Sequence, residues 1–192
     1  MHRGPLGKAR RVLQARAAKE ELSPRLAELQ ELMDIITESA ALMERCGFDQ
    51  VRENLKSARA AYPENKQLLH LWFGNEYYLC DSEDDLNALL KEINNLPRED
   101  MMDEVVQTVR AHILWKLGLN DRALAVLRAA VDETSHGLVL QSIRTLASRF
   151  SGSVIAQEVE MLAAYHLGES VELPKSLERK AKAENEDDGE QE

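Results

Sequence analysis

Five histidines, two cysteines and one dense run of carboxylates are the side chains of this 192-residue chain that could take part in chemistry. Metal binding asks such residues to recur at spacings that converge on one ion, as CxxC pairs or HExxH do. His2, His70, His112, His136 and His166 are scattered, and Cys46 and Cys80 have neither a CxxC partner nor a histidine pair beside them. No metal site is expected, and both thiols read as reduced and structural. The run Asp81-Ser82-Glu83-Asp84-Asp85 lacks the spacing of a calcium loop and instead suits the positive end of a helix dipole. The sequence has no glycine-rich phosphate loop and no nucleophile elbow. No catalytic residue, cofactor or small-molecule substrate is expected, and the chain is read as a non-enzyme.

A formal charge of −10 and a pI near 5.1 disfavour nucleic acid as a partner, because phosphate binding wants a basic face. The charge is unevenly spread. Residues 1–19 carry Arg3, Lys8, Arg10, Arg11, Arg16 and Lys19 with no acidic residue, whereas residues 184–192 carry six acidic residues and no basic one. The basic stretch reads as a fraying end, as a capping helix built on Leu6, Val12, Leu13 and Ala17, as a nucleic-acid or membrane-surface arm, or as part of a targeting segment. The apolar stretches fall short of the roughly 18–20 residues that span a bilayer, and no signal-peptide core follows the basic start. A soluble, cytoplasmic chain is expected.

Glycine and proline number only 9 and 5, while Ala, Leu, Glu, Arg and Lys abound, so the fold class is predicted as all-α. Ser23-Pro24 starts a helix with a capping hydroxyl and a first-turn proline. Behind it Leu26, Leu29, Met33, Ile36, Ala40 and Met43 form one apolar stripe, which stops at Gly47. A second helix, about 49–62, points Val51, Leu55 and Ala58 inward and closes at Pro63. A third carries Leu68, Leu69, Trp72, Phe73, Tyr77 and Leu79. The fourth, about 84–95, buries Leu86, Leu89, Leu90 and Ile93 and breaks at Pro97. Helices over about 100–117 and 120–133 follow, split by Gly118. Segments 138–150 and 153–167 then place Val139, Ile143, Leu146, Phe150, Ile155, Val159, Leu162 and His166 at helical spacing. No window alternates with period two. Past Pro174 almost no apolar residue remains, so that stretch is predicted disordered.

The helix pairs repeat. Val51, Leu86 and Ala123 align, then Leu55, Leu90 and Leu127, then Ala58, Ile93 and Ala130, with offsets of 35 and 37 in every row. Phe73-Gly74-Asn75-Glu76-Tyr77-Tyr78 with Leu86, Leu90, Ile93 and Pro97 resembles one tetratricopeptide repeat. Ala111, Leu114, Gly118, Asp121, Ala123, Leu127 and Ala130 resemble a second, and Gly47-Phe48, Val51, Leu55, Ala58 and Pro63 resemble the latter half of an earlier one. The likeness covers roughly 26–133 and decays beyond, where 138–168 reads as a divergent capping pair. Val51 and Leu86 depart from the small residue that the family places at the start of its second helix.

The resemblance implies an α-α superhelix, a TPR-like solenoid of about three to four antiparallel helix pairs. It implies a repeat domain 23–172, which charge and composition flank with a basic segment 1–22, partly flexible or a capping helix, and an acidic, disordered tail 173–192. It also implies a groove that grips a peptide or protein, lined by Leu71, Asn75, Tyr78 and Leu79 from one repeat and by Thr108, His112, Trp115 and Lys116 from the next. Asn75 stands where the family often has an asparagine bonding a ligand backbone. Read without the resemblance, Asn75 is a solvated helix residue, and Trp115 and Tyr78 are equally readable as core. Leu71, Val105 and Val109 occupy positions where the family's carboxylate clamp needs polar or basic groups, which disfavours an acidic chaperone tail as ligand. The implied function is a non-catalytic adaptor, scaffold or assembly chaperone. The alternatives are a small secretion-system-type chaperone, a structural subunit of a larger complex, or a nucleic-acid-associated subunit using the basic arm.

Overall fold

The computed structural model describes residues 24–150 and 152–174. The predicted segment 1–22 and the predicted tail beyond Pro174 lie outside the described residues. Every regular element among them is an α-helix, in agreement with the composition: α1 (Pro24–Met43), α2 (Phe48–Ala61), α3 (Lys66–Leu79), α4 (Glu83–Asn94), α5 (Arg98–Met101), α6 (Glu104–Lys116), α7 (Asn120–Glu133), α8 (Gly137–Ala147) and α9 (Val154–His166). The chain divides into two compact units, Met1–Cys80 and Asp81–Glu192. The division falls between α3 and α4, which the repeat reading joins as one pair.

In the first unit α2 packs on α1 and on α3, and α1 also meets α3. Val51, Leu55 and Ala58 of α2 meet Ile36 and Leu68, and Leu32, Ile35, Leu42, Met43, Tyr62, Leu71 and Trp72 close around them. Each large aliphatic side chain enclosed in this way contributes about 1.5–3 kcal/mol. The inward arc of α1 differs from the predicted stripe, since Leu29 and Ala40 face outward and Ser39 is buried. With two helices on α1, the arc runs through Leu32, Ile35, Ile36, Ser39 and Met43, and the serine within it interrupts the apolar pattern.

Helix α1 ends in a Schellman turn: the Cys46 N–H donates to the Met43 carbonyl at 3.0 Å, and the Gly47 N–H to the Leu42 carbonyl at 2.9 Å. The left-handed residue is Cys46, with φ 58°, while Gly47 has φ −83°. Glycine is wanted at 47 for space, because a Cβ there would lie 3.3 Å from the Leu42 carbonyl oxygen. At Gly74 a Cβ would sit 3.6 Å from Met43 Cε, an ordinary contact, so the approach of α1 and α3 does not demand glycine there. Between α2 and α3, Arg52 makes a bidentate pair with Glu76, with both N–H···O distances 2.8 Å.

The second unit opens with a capping box. The Ser82 hydroxyl accepts from the Asp85 N–H at 3.1 Å, and the Asp85 carboxylate accepts from the Ser82 N–H at 3.1 Å. The acidic run is therefore first-turn charge, as its spacing predicts. Leu86, Leu89, Leu90 and Ile93 are buried on α4, which packs on α6. The single helix predicted over 100–117 is two, because Asp103 caps a new start by accepting from the N–H groups of Val105 and Val106 at 3.0 and 3.3 Å. Helix α6 packs on α7 and α8, and α9 covers α7 and α8. Gly118 and Gly168, with φ 71° and 78°, close α6 and α9 in Schellman turns. Ile155, predicted inward, is 48% exposed, because the buried arc of α9 runs through Ala156, Val159 and Ala163.

All nine positions of the predicted register are buried. No helix among the described residues is long and apolar enough to cross a membrane.

Candidate functional site

The eight groove residues fall four to each unit. On α3, Leu71, Asn75, Tyr78 and Leu79 share one stripe by helical spacing, yet their surroundings differ sharply. Leu71 packs against the core, Leu79 is half-buried, Asn75 is 0% exposed and Tyr78 is 61% exposed. The Asn75 amide has no hydrogen-bond partner for either Oδ1 or Nδ2 among the described residues. Tyr78 lies flat on Phe48, with ring centroids 5.0 Å apart and planes 11° from parallel, and meets the Tyr77 ring edge at 5.6 Å. This stripe therefore presents one aromatic platform, and its asparagine is enclosed.

The α6 residues form a more open group. Thr108 is buried, and its hydroxyl donates to the Glu104 carbonyl at 2.9 Å. Its own carbonyl accepts from His112 Nδ1 at 2.9 Å, a bond that fixes the tautomer with Nε2 as the acceptor nitrogen. Trp115 is half-buried and Lys116 exposed, three and four residues beyond His112. The Arg149 guanidinium lies over the Trp115 ring, 4.7 Å from its centroid. Burial holds the His112 imidazole below its usual pKa; the Thr108 bond opposes this, and the Arg149 and Lys116 charges add to it. His112 is accordingly a neutral ring beside two cations near pH 7.

The family resemblance names Trp115 and Lys116 but not Arg149, which follows α8 and reaches Trp115 only because α8 packs on α6. No local spacing signals that pairing. Phe48 is similarly hidden from a reading confined to first helices.

Among the described residues no three His, Cys, Asp or Glu side chains gather as metal ligands. Both cysteines are free; Cys46 is exposed, and the Cys80 thiol donates to the Glu76 carbonyl at 3.2 Å. A shallow depression of about 530 Å³ lies along α8, lined by Gln141, Arg144, Thr145, Ser148 and the α9 residue Glu160. Its lining side chains are all polar, and Arg144 is engaged by Glu169 at 2.6 Å. No family model, curated protein or solved structure matches this chain.

Proposed function

We propose that the chain is a non-catalytic protein-interaction module of TPR-like helix pairs, an adaptor or assembly chaperone that holds a peptide or protein on the α6 face. One observation carries the reading: a half-buried tryptophan capped by an arginine, with a lysine and a neutral histidine beside it. Tryptophan and arginine are the residues most enriched among those that dominate binding energy, and a rigid indole gives contact area at low entropic cost. The scaffold half of the reading is supported by burial of all nine register positions at constant offsets, including Ala58, Ala123 and Ala130, where small side chains let helices pack closely. Two free thiols fit a reducing compartment such as the cytoplasm.

The test is affinity purification from the native cell followed by mass spectrometry, run with the natural chain and with Trp115→Ala/Arg149→Ala. Loss of about 2 kcal/mol at a dominant contact lowers affinity roughly thirtyfold. One or more partners should therefore disappear while circular dichroism stays unchanged. Retention of every partner by a folded variant overturns the assignment of this face.

A further inference from the structure

Helix α1 is the longest helix of the first unit and the least enclosed. Among its described side chains Ile36 is the one apolar group that is buried; Leu32, Ile35, Leu42 and Met43 are half-buried and Leu29 is 45% exposed. Its other buried side chain is Ser39, whose hydroxyl has no partner. By contrast, α2 encloses Val51, Leu55 and Ala58 to 3% exposure or less. A helix held by few enclosed apolar groups, one of its buried positions an unpaired hydroxyl, detaches at lower free energy than the pair it covers. Detachment alone would bare Val51, Leu55 and Leu68, which cluster with Ile36. The same helix from a second copy restores every one of those contacts.

Because the packing is the same in the closed chain and in an exchanged pair, the balance between them rests on the hinge. That hinge is residues 44–47, between α1 and α2, and it is short and strained. Cys46 sits at φ 58°, a conformation that costs a non-glycine residue a factor of about 5–30 in population. Gly47 supplies no side-chain cap to α2, so the first N–H groups of that helix gain nothing from it. Straightened, residues 44–47 join α1 to α2 in one helix. Cys46 then leaves the left-handed region, and the N–H groups at the start of α2 find carbonyls one turn back. Association entropy and the poor helix propensity of Gly47 oppose this. Short hinges under strain nonetheless favour exchange of the element they carry.

We infer that the chain forms a dimer by exchanging α1, so that α1 of each copy lies on α2 and α3 of the other, with residues 44–47 as the hinge. The inference is independent of the α6 face, which belongs to the other unit.

The test is size-exclusion chromatography with light scattering on the full chain. Reductant is present throughout because Cys46 is exposed, and samples are first held concentrated and warm, below the unfolding transition. A two-chain species should grow with protein concentration in the natural chain. Gly47→Ala disfavours the turn, where the added Cβ meets the Leu42 carbonyl oxygen, and favours the helix. A change of roughly fivefold at each of two hinges raises the dimerisation constant about 25-fold. Cys46→Gly relaxes the turn and should lower that constant by about 5–30-fold, and Gly-Ser-Gly-Ser inserted between Arg45 and Cys46 should leave only monomer. Exchange is told from simple docking by a dimer prepared from isotope-labelled and unlabelled chains. A Cβ at Gly74 would lie 3.6 Å from Met43 Cε, so an isotope-filtered NOE should join the Met43 methyl of one chain to Gly74 of the other. Monomer alone in both the natural chain and Gly47→Ala overturns the inference. So does a dimer without that cross-chain NOE, or one indifferent to the hinge substitutions.

Discussion

Replacing Asn75 by leucine should stabilise the first unit. The Asn75 side chain is 0% exposed, and neither its amide oxygen nor its nitrogen finds a partner among the described residues. An unpaired buried polar group costs about 1–3 kcal/mol, and this amide, desolvated as a single group with both atoms unpaired, falls in the upper half of that range. Leucine has the same number of side-chain heavy atoms in the same branching, so no cavity opens. Its methyl groups are bulkier than the amide atoms, at an overpacking cost of about 1 kcal/mol. Helix propensity returns about half a kcal/mol at this mid-helix position. The net expectation is a gain of about 1–3 kcal/mol. Trp72 lies in the same helix and Trp115 in the other unit, so urea unfolding followed by tryptophan fluorescence in a Trp115→Phe background reports the first unit. With a denaturant slope of about 1 kcal/mol per molar for so small a unit, the midpoint should rise by about 1–3 M. A fall in the midpoint refutes the reasoning: it would mean that the amide is satisfied in the folded protein by bound water and belongs to a polar network.

Three other perturbations test separate parts of the description. Cys46→Gly should stabilise by about half to one kcal/mol, the left-handed penalty of about 1–2 kcal/mol being partly offset by the entropy glycine adds to the unfolded chain; Gly47→Ala should destabilise by about 1 kcal/mol, because the neighbouring Leu42 oxygen is backbone and cannot yield. Thermal denaturation of both variants checks the pair. A double-mutant cycle on Arg52→Ala and Glu76→Gln should give a coupling of about 1 kcal/mol that shrinks between 0.05 and 0.5 M salt, since the Arg52 side chain is 40% exposed; zero coupling at low salt contradicts the bidentate geometry. His112 has a folded pKa held below its unfolded value of 6.5, so its contribution to stability is complete above that value and is lost as pH falls through the window beneath it. Urea midpoints at pH 7 and pH 5 should fall more in the natural chain than in His112→Gln, by no more than about 1.4 kcal/mol per pH unit, and equal falls refute the assignment.

Helix boundaries are legible in this sequence because their causes are local. Ser82 caps α4 through its own hydroxyl, and Gly118 takes the left-handed turn after α6, so each signal sits within a few residues of its effect. The buried faces of α2, α4 and α7 are legible for a related reason: each is narrow and purely apolar, from Val51 to Ala58, Leu86 to Ile93 and Ala123 to Ala130. The face of α1 is not, since two helices pack on it and Ser39 sits inside the buried arc. Nor is the break before α6, where the Asp103 cap competes with an apolar pattern that runs through it. Cys46 in the left-handed region is hidden by the glycine beside it, which local rules nominate first.

The candidate site separates along the same line between local and distant causes. Register places Leu71, Asn75, Tyr78 and Leu79 on one stripe, as it does Thr108, His112, Trp115 and Lys116, but exposure depends on what lies opposite. Asn75 is enclosed where the family likeness asks for contact with a ligand, while Trp115 gains a cation from Arg149, 34 residues further along the chain. The two positions therefore pull apart stability and binding. A buried unpaired amide lowers the stability of its unit, so Asn75→Leu should be neutral for any partner held by Trp115. If that substitution instead stabilises the fold and also releases the partners that Trp115→Ala/Arg149→Ala releases, then Asn75 must become exposed on binding. The first unit would then open along α3 when the partner arrives, a motion that faster hydrogen exchange of the α3 amides in the complex would register.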